Sequence, residues 1–181
     1  MTEKLKQVLH FIIHLANQHN WPLGAVKLTK SVVFSELTSL YWHYKPITGV
    51  KVVKAPRGPV PDGYAEALGQ LAVDGLIKIT EGEEHYEPTT YESLATPDLT
   101  FLSDEEQRII VEITEVCCQK YTATALSDLT HNWYWKTVQM GDEIPLAAYL
   151  RADDEALEPS PLTEEDLAQI DRAMEDGRLN A

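Results

Sequence analysis

Two histidines, His10 and His14, stand four residues apart and would share one face of a helix. Such a pair can present two imidazoles to zinc, but a site needs more ligands, and Phe11 follows His10 where a metalloprotease helix carries its glutamate. The spacing therefore predicts two residues beside an amphipathic stripe and no metal centre. Ser, His and Asp all occur, yet no Gly-x-Ser-x-Gly elbow, phosphate loop or dinucleotide fingerprint does. Asp142 and Glu143 are adjacent and expected in solvent. Each catalytic constellation lacks at least one part, so no enzyme activity and no cofactor are expected. The densest aromatic cluster is His131, Trp133 and Trp135. It reads either as core packing, with His131 satisfied by a backbone partner, or as a surface anchor. The segment APRGPVP, residues 55–61, sets three prolines and a glycine around Arg57. Proline fixes φ and glycine opens otherwise forbidden angles, so a rigid, shaped connection is expected there. Arg57 either bonds loop carbonyls or stands out as a cation.

These residues must be positioned by a chain of 181 residues with 44% hydrophobic content, enough for one substantial core. The net charge of −14 argues against direct nucleic-acid binding, which needs clustered Lys and Arg. It suits a basic partner, whose association it would steer, although solubility alone also accounts for it. Cys117 and Cys118 are adjacent, which rules out a disulfide framework. No apolar run approaches the ~20 residues of a membrane span. The N-terminal stretch lacks a small-residue cleavage site, so cytoplasm is the expected location.

Apolar residues at helical spacing predict a helix over 3–19 and a second over 25–42, with Val26, Val33, Leu37, Leu40 and Tyr41 inward. KPITG at 45–49 reads as a turn and VKVVKA at 50–55 as a strand. Asp62 is the expected N-cap of a helix with Ala65, Leu68, Leu71 and Ala72 inward, closed by Gly75. LIKIT and HYEPT then flank the acidic EGEE as a hairpin, giving a winged-helix-like element. A DNA-binding wing would carry cations where this one has Glu81, Glu83, Glu84 and Glu87. Ser103 and Glu106 predict a capping box opening a helix to about 119, with Ile109, Ile110, Ile113 and Val116 inward. One or two short helices follow over 122–138, and GDEIPL is a turn. Residues 151–181 hold ten acids against three bases, half of the chain's net charge. They read as an acidic linker and a capped helix sharing Leu167, Ile170 and Met174 on one face. Such a helix must dock on its own domain or on a partner. The expectation is an α+β fold: a mostly helical single domain over 1–150 with a small antiparallel sheet, and a C-terminal helical tail over 151–181.

KLTKSVVF (27–34), PITG (46–49), RGPVP (57–61), LSDEEQRIIVEI (102–113) and LSDLTHNWYWKTVQMGDEIP (126–145) occur in an order and spacing that resemble the Panacea domain. This is the SocA-like antitoxin domain of bacterial toxin–antitoxin pairs. The resemblance covers about residues 5–150 and rests on the set, since no single piece is specific. Ser31 interrupts an apolar run that is more continuous in the family. The resemblance implies that the chain neutralises a co-encoded protein toxin by direct binding, within what can be a higher-order complex. A phage or mobile-element accessory protein, or a proteolytic adaptor, would use the same domain. The chain's acidity suits a basic toxin acting on RNA, tRNA or nucleotides. The residues that carry the resemblance, and the candidates for toxin contact, are Lys30 and Phe34; Thr48 and Gly49; Arg57, Gly58, Pro59, Val60 and Pro61; His131 and Trp135. In the tail, Leu167, Ile170 and Met174 are the candidates for partner binding.

Overall fold

Thr2 caps the first helix by accepting the Leu5 N–H, and Leu5, Leu9, Ile12, Ile13 and Ala16 form its buried stripe. This is α1, Glu3–Gln18. The structure, a computed structural model, describes residues 2–82 and 89–151. Within them a mostly helical body carries two small antiparallel hairpins, an α+β arrangement.

The second helix, α2 (Ala25–His43), follows Gly24 and ends where Tyr44 turns left-handed at φ 58°. It is the central element, buried on most of its circumference, so its sequence shows little amphipathic contrast. Val26, Val33 and Leu37 are buried as expected, and Leu40 is half-buried. Tyr41 is a correction: it is exposed, at the edge of a groove that α2 shares with its neighbours. Ser31, which breaks the apolar run, is fully buried and donates its hydroxyl to the Lys27 carbonyl, so it needs no outside partner.

Strand β1 (Val52–Ala55) pairs with β2 (Gly58–Pro61), Ala55 opposite Gly58 and Val52 opposite Pro61. The Gly-Pro-Val-Pro stretch is therefore itself a strand, and the sequence expectation of a connecting loop is corrected. Its prolines are tolerated because the ribbon has only two named strands. Residues 142–144 extend the other side of β1, with Lys54 N–H to Asp142 O at 2.9 Å and Ile144 N–H to Val52 O at 2.7 Å. GDEIPL is thus a turn at Gly141 (φ 86°) followed by a strand-like bridge.

Helix α3 (Tyr64–Val73) starts from Gly63 in the left-handed region, with no side-chain cap. Asp62 is not the cap, since its N–H continues the ladder to Lys51 O. Ala67, Leu68 and Leu71 are buried, and Ala65, expected inward, is exposed in the first turn of a helix that starts one residue later than Asp62 implied. Gly75 closes the helix at φ 72°, its N–H to Ala72 O and that of Leu76 to Leu71 O, a Schellman motif.

The second hairpin joins β3 (Ile77–Thr80) to β4 (Thr90–Ser93), Ile77 opposite Ser93. The described returning strand is TYES, whose Tyr91 buries against the core, while residues 85–88 of the expected HYEPT lie outside the described residues. Glu81 is exposed, and Glu83, Glu84 and Glu87 lie outside the described residues.

The capping box forms as expected at the start of α4 (Asp104–Gln119), and Lys4 pairs with Glu106 at 2.7 Å. Ile109 and Ile110 are buried. Val116 is not: Thr114, Cys117 and Cys118 face inward instead, and Val116 lines an open groove. Then come α5 (Ala123–Leu129) and α6 (Trp133–Thr137), capped by Thr122 and Asn132. The last described element, α7 (Leu146–Arg151), was not expected and starts directly after Pro145.

Two apolar clusters result. The larger joins α1, α3, α4 and the second hairpin to one side of α2. The smaller packs Val33 and Leu37 of α2 with Val52, Ile144 and Tyr149. No described helix is long and apolar enough to cross a membrane. Leu167, Ile170 and Met174, with the linker before them, lie outside the described residues.

Candidate functional site

The residues singled out from the sequence meet mainly on α2. Lys30 is completely buried, and its Nζ donates to the Pro59 carbonyl at 2.7 Å. Removing an ammonium from water favours the neutral amine, and burial pulls the Lys30 pKa down to about 7. Gly58 lies directly beneath this amine. A Cβ there would sit 2.6 Å from Lys30 Nζ and 2.2 Å from Thr130 Oγ1, and φ is +93°. Only glycine lets the second strand approach so closely.

Thr130 ends α5, and its hydroxyl bonds back to Leu126 O and Ser127 O. Its carbonyl accepts the Tyr149 hydroxyl at 2.7 Å, which fastens α7 to the cluster. His131 stacks on Trp135 at 3.8 Å between ring centroids. Burial, and then the charge of Lys30, hold its pKa below the ordinary value. Lys54 Nζ lies 4.2 Å from the Trp135 ring and donates to Val138 O at 2.7 Å, so a cation covers the stack.

Thr48 and Gly49 belong to a second clamp. Glu36, two turns beyond Lys30 on α2 and 1% exposed, accepts both the Thr48 N–H at 2.9 Å and its hydroxyl. Burial raises the Glu36 pKa against these hydrogen bonds. Gly49 at φ 67° completes the turn. Nothing in the sequence reading singled out Glu36. The signal available was an acid six residues after a lysine inside an apolar helix, a position that demands a partner.

The remaining candidates are scattered. Pro59 and Pro61 are buried and Val60 is half-buried within the ribbon. Arg57 is exposed at the hairpin tip, with no hydrogen bond or ion pair among the described residues. His10 and His14 both meet Ser93 Oγ at 3.2 Å, and His10 Nε2 also reaches Ala95 O, so they tie α1 to the second hairpin. Burial raises the pKa of both cysteine thiols, Cys117 to about 11. The thiols are therefore poor nucleophiles at neutral pH.

Phe34 points elsewhere, into a groove of about 350 Å³ between α2, α4, α5 and α7. Leu37, Ile113, Cys117, Leu126 and Tyr149 supply the rest of its interior. Tyr41, Trp42 and Leu129 stand at its edge, 62%, 67% and 53% exposed. Sequence reasoning missed this surface because Tyr41 fits the helical stripe. The signal was the run Leu40-Tyr41-Trp42, too wide for one buried face.

No curated protein and no solved structure matches the chain significantly. The stretch from Leu28 to Lys136 does match a family model, and it contains Lys30, both clamped turns and the His131–Trp135 stack; the chain belongs to the SocA-like antitoxins, the Panacea domain family.

Proposed function

We propose that this chain neutralises a cognate protein toxin by binding it directly, without catalysis. The observation that carries the reading is the apolar groove edged by Tyr41 and Trp42. Tyr and Trp dominate the energetics of protein interfaces, and the core does not use these two. Of the residues that carry the family resemblance, Lys30, Thr48 and Gly58 are spent inside the fold as clamps, whereas Phe34 lines the groove. The net charge of −14 suits a basic toxin, of the kind that handles RNA, tRNA or nucleotides, and steers its approach in the cytoplasm.

Co-expression with the toxic product of a neighbouring reading frame tests the proposal. The chain should restore growth, co-purify with the toxin, and suppress it in a near-equimolar titration. Tyr41→Asp with Trp42→Asp should abolish rescue while the melting temperature holds. Complete suppression at a small fraction of one equivalent, with the toxin chemically altered, would replace binding with catalysis.

A further inference from the structure

We propose that in the free protein the groove is occupied by the chain's own C-terminal segment, residues 162–174, and that a toxin must displace it. The inference rests on the reading of the groove as the toxin-binding face. The described part of α7 reaches Arg151, and Tyr149 and Leu150 already line the groove. The chain that continues from Arg151 therefore leaves from the groove's own wall. Residues 152–161 form a ten-residue spacer with two prolines. Ten residues span at most roughly 33–36 Å, so the following segment is tethered within reach of the groove, and docking there is intramolecular, at an effective concentration on the order of millimolar.

That segment has the pattern a groove takes. Leu167, Ile170 and Met174 recur at i, i+3 and i+7, after a Thr163 cap. The groove offers apolar walls of Phe34, Leu37, Ile113 and Leu126 to such a stripe. Charge keeps this contact weak. Residues 152–181 carry ten acids and two bases, and the rest of the chain is also net acidic. Like charge opposes self-docking, and salt screens it within ~8 Å at physiological ionic strength. Added salt therefore strengthens the contact of tail with groove, whereas it weakens the capture of a basic toxin. A basic partner gains twice, taking the groove and pairing with the released acidic tail.

Fluorine NMR of the full chain labelled with 5-fluorotryptophan reads the contact at Trp42. Its comparator is the full chain carrying Leu167→Asp, Ile170→Asp and Met174→Asp, which leaves every described residue unchanged. The Trp42 resonance should differ between the two chains, while those of Trp21, Trp133 and Trp135 coincide. A synthetic peptide of residues 162–178, added to the variant, should move Trp42 back toward its position in the parent chain, and further at higher salt. An identical Trp42 resonance in both chains, or no response to the peptide, overturns the proposal. So does a Trp42 shift that tracks protein concentration equally in both, which would assign the groove to a second copy. No toxin enters the experiment, so its failure leaves the antitoxin reading standing. Absence of growth rescue by a chain with the expected Trp42 shifts would remove that reading alone.

Discussion

Gly58 sits where three elements meet, and its missing side chain is what admits the Lys30 amine and the Thr130 hydroxyl. Gly58→Ala adds both a clash and a strained positive φ, and should cost about 3 kcal/mol in urea denaturation. Gly49→Ala is the control. It shares the positive φ but has open space around the new methyl, so about 1 kcal/mol is expected. Equal losses would show that backbone strain, and not close approach, governs Gly58. Lys30 makes a prediction with a sign. Its folded pKa is about 7 against an ordinary 10.5, so between these values the unfolded chain holds the extra proton. Raising the pH through this window therefore stabilises the native protein relative to Lys30→Met, by up to about 1.4 kcal/mol per pH unit. The two cysteines act oppositely above the ordinary thiol value, since their folded pKa is raised, but they are common to both proteins and cancel. A difference in unfolding free energy that stays flat from neutral to alkaline pH would mean that Lys30 remains charged in the fold.

Helix α2 carries both clamps, Lys30 for the β1–β2 ribbon and Glu36 for the turn at 46–49. Glu36→Ala strands the Thr48 N–H and should cost about 2 kcal/mol. Combined with Thr48→Ser, which keeps the hydroxyl, the losses should add; combined with Thr48→Ala they should fall short of additivity by about 1 kcal/mol in a double-mutant cycle. Strict additivity with Thr48→Ala would sever the proposed link. The elements whose buried face is narrow were legible in the sequence. The α1 stripe and the Ser103–Glu106 capping box are examples, because each depends on local spacing. The inward face of α2 was misread at Tyr41, since a helix enclosed by several neighbours has no single stripe to read. The Gly-Pro-Val-Pro strand was hidden for another reason. Its prolines argue against a strand, and only the two-stranded ribbon, which keeps them out of any central ladder, makes them acceptable there. Within the site, Lys30 and His131 could be marked from the family pattern, but the meeting of Lys30 and Thr130 at Gly58 depends on long-range packing.

At the scale of the molecule, the described residues alone furnish two apolar clusters that draw on elements from α1 to α7. A chain ending after Arg151 should therefore melt within a few degrees of the full chain, since surface and terminal changes rarely exceed about 0.5 kcal/mol. A large drop would show that the tail contributes to the core. Loss of ten acids should also flatten the salt dependence of association with a basic toxin, measured by stopped flow. The hydroxyl of Tyr149 on the Thr130 carbonyl has a further consequence. The described part of α7 is tied to the body through Leu146, Tyr149 and Leu150 on the smaller cluster, whereas α2 is buried on most of its circumference. The α7 amide protons should exchange with deuterium far sooner than those of α2, in an opening that leaves the central helix closed. One wall of the groove would then come and go on a timescale of its own, and a protease cutting there would meet an antitoxin whose fold is intact but whose grip is gone.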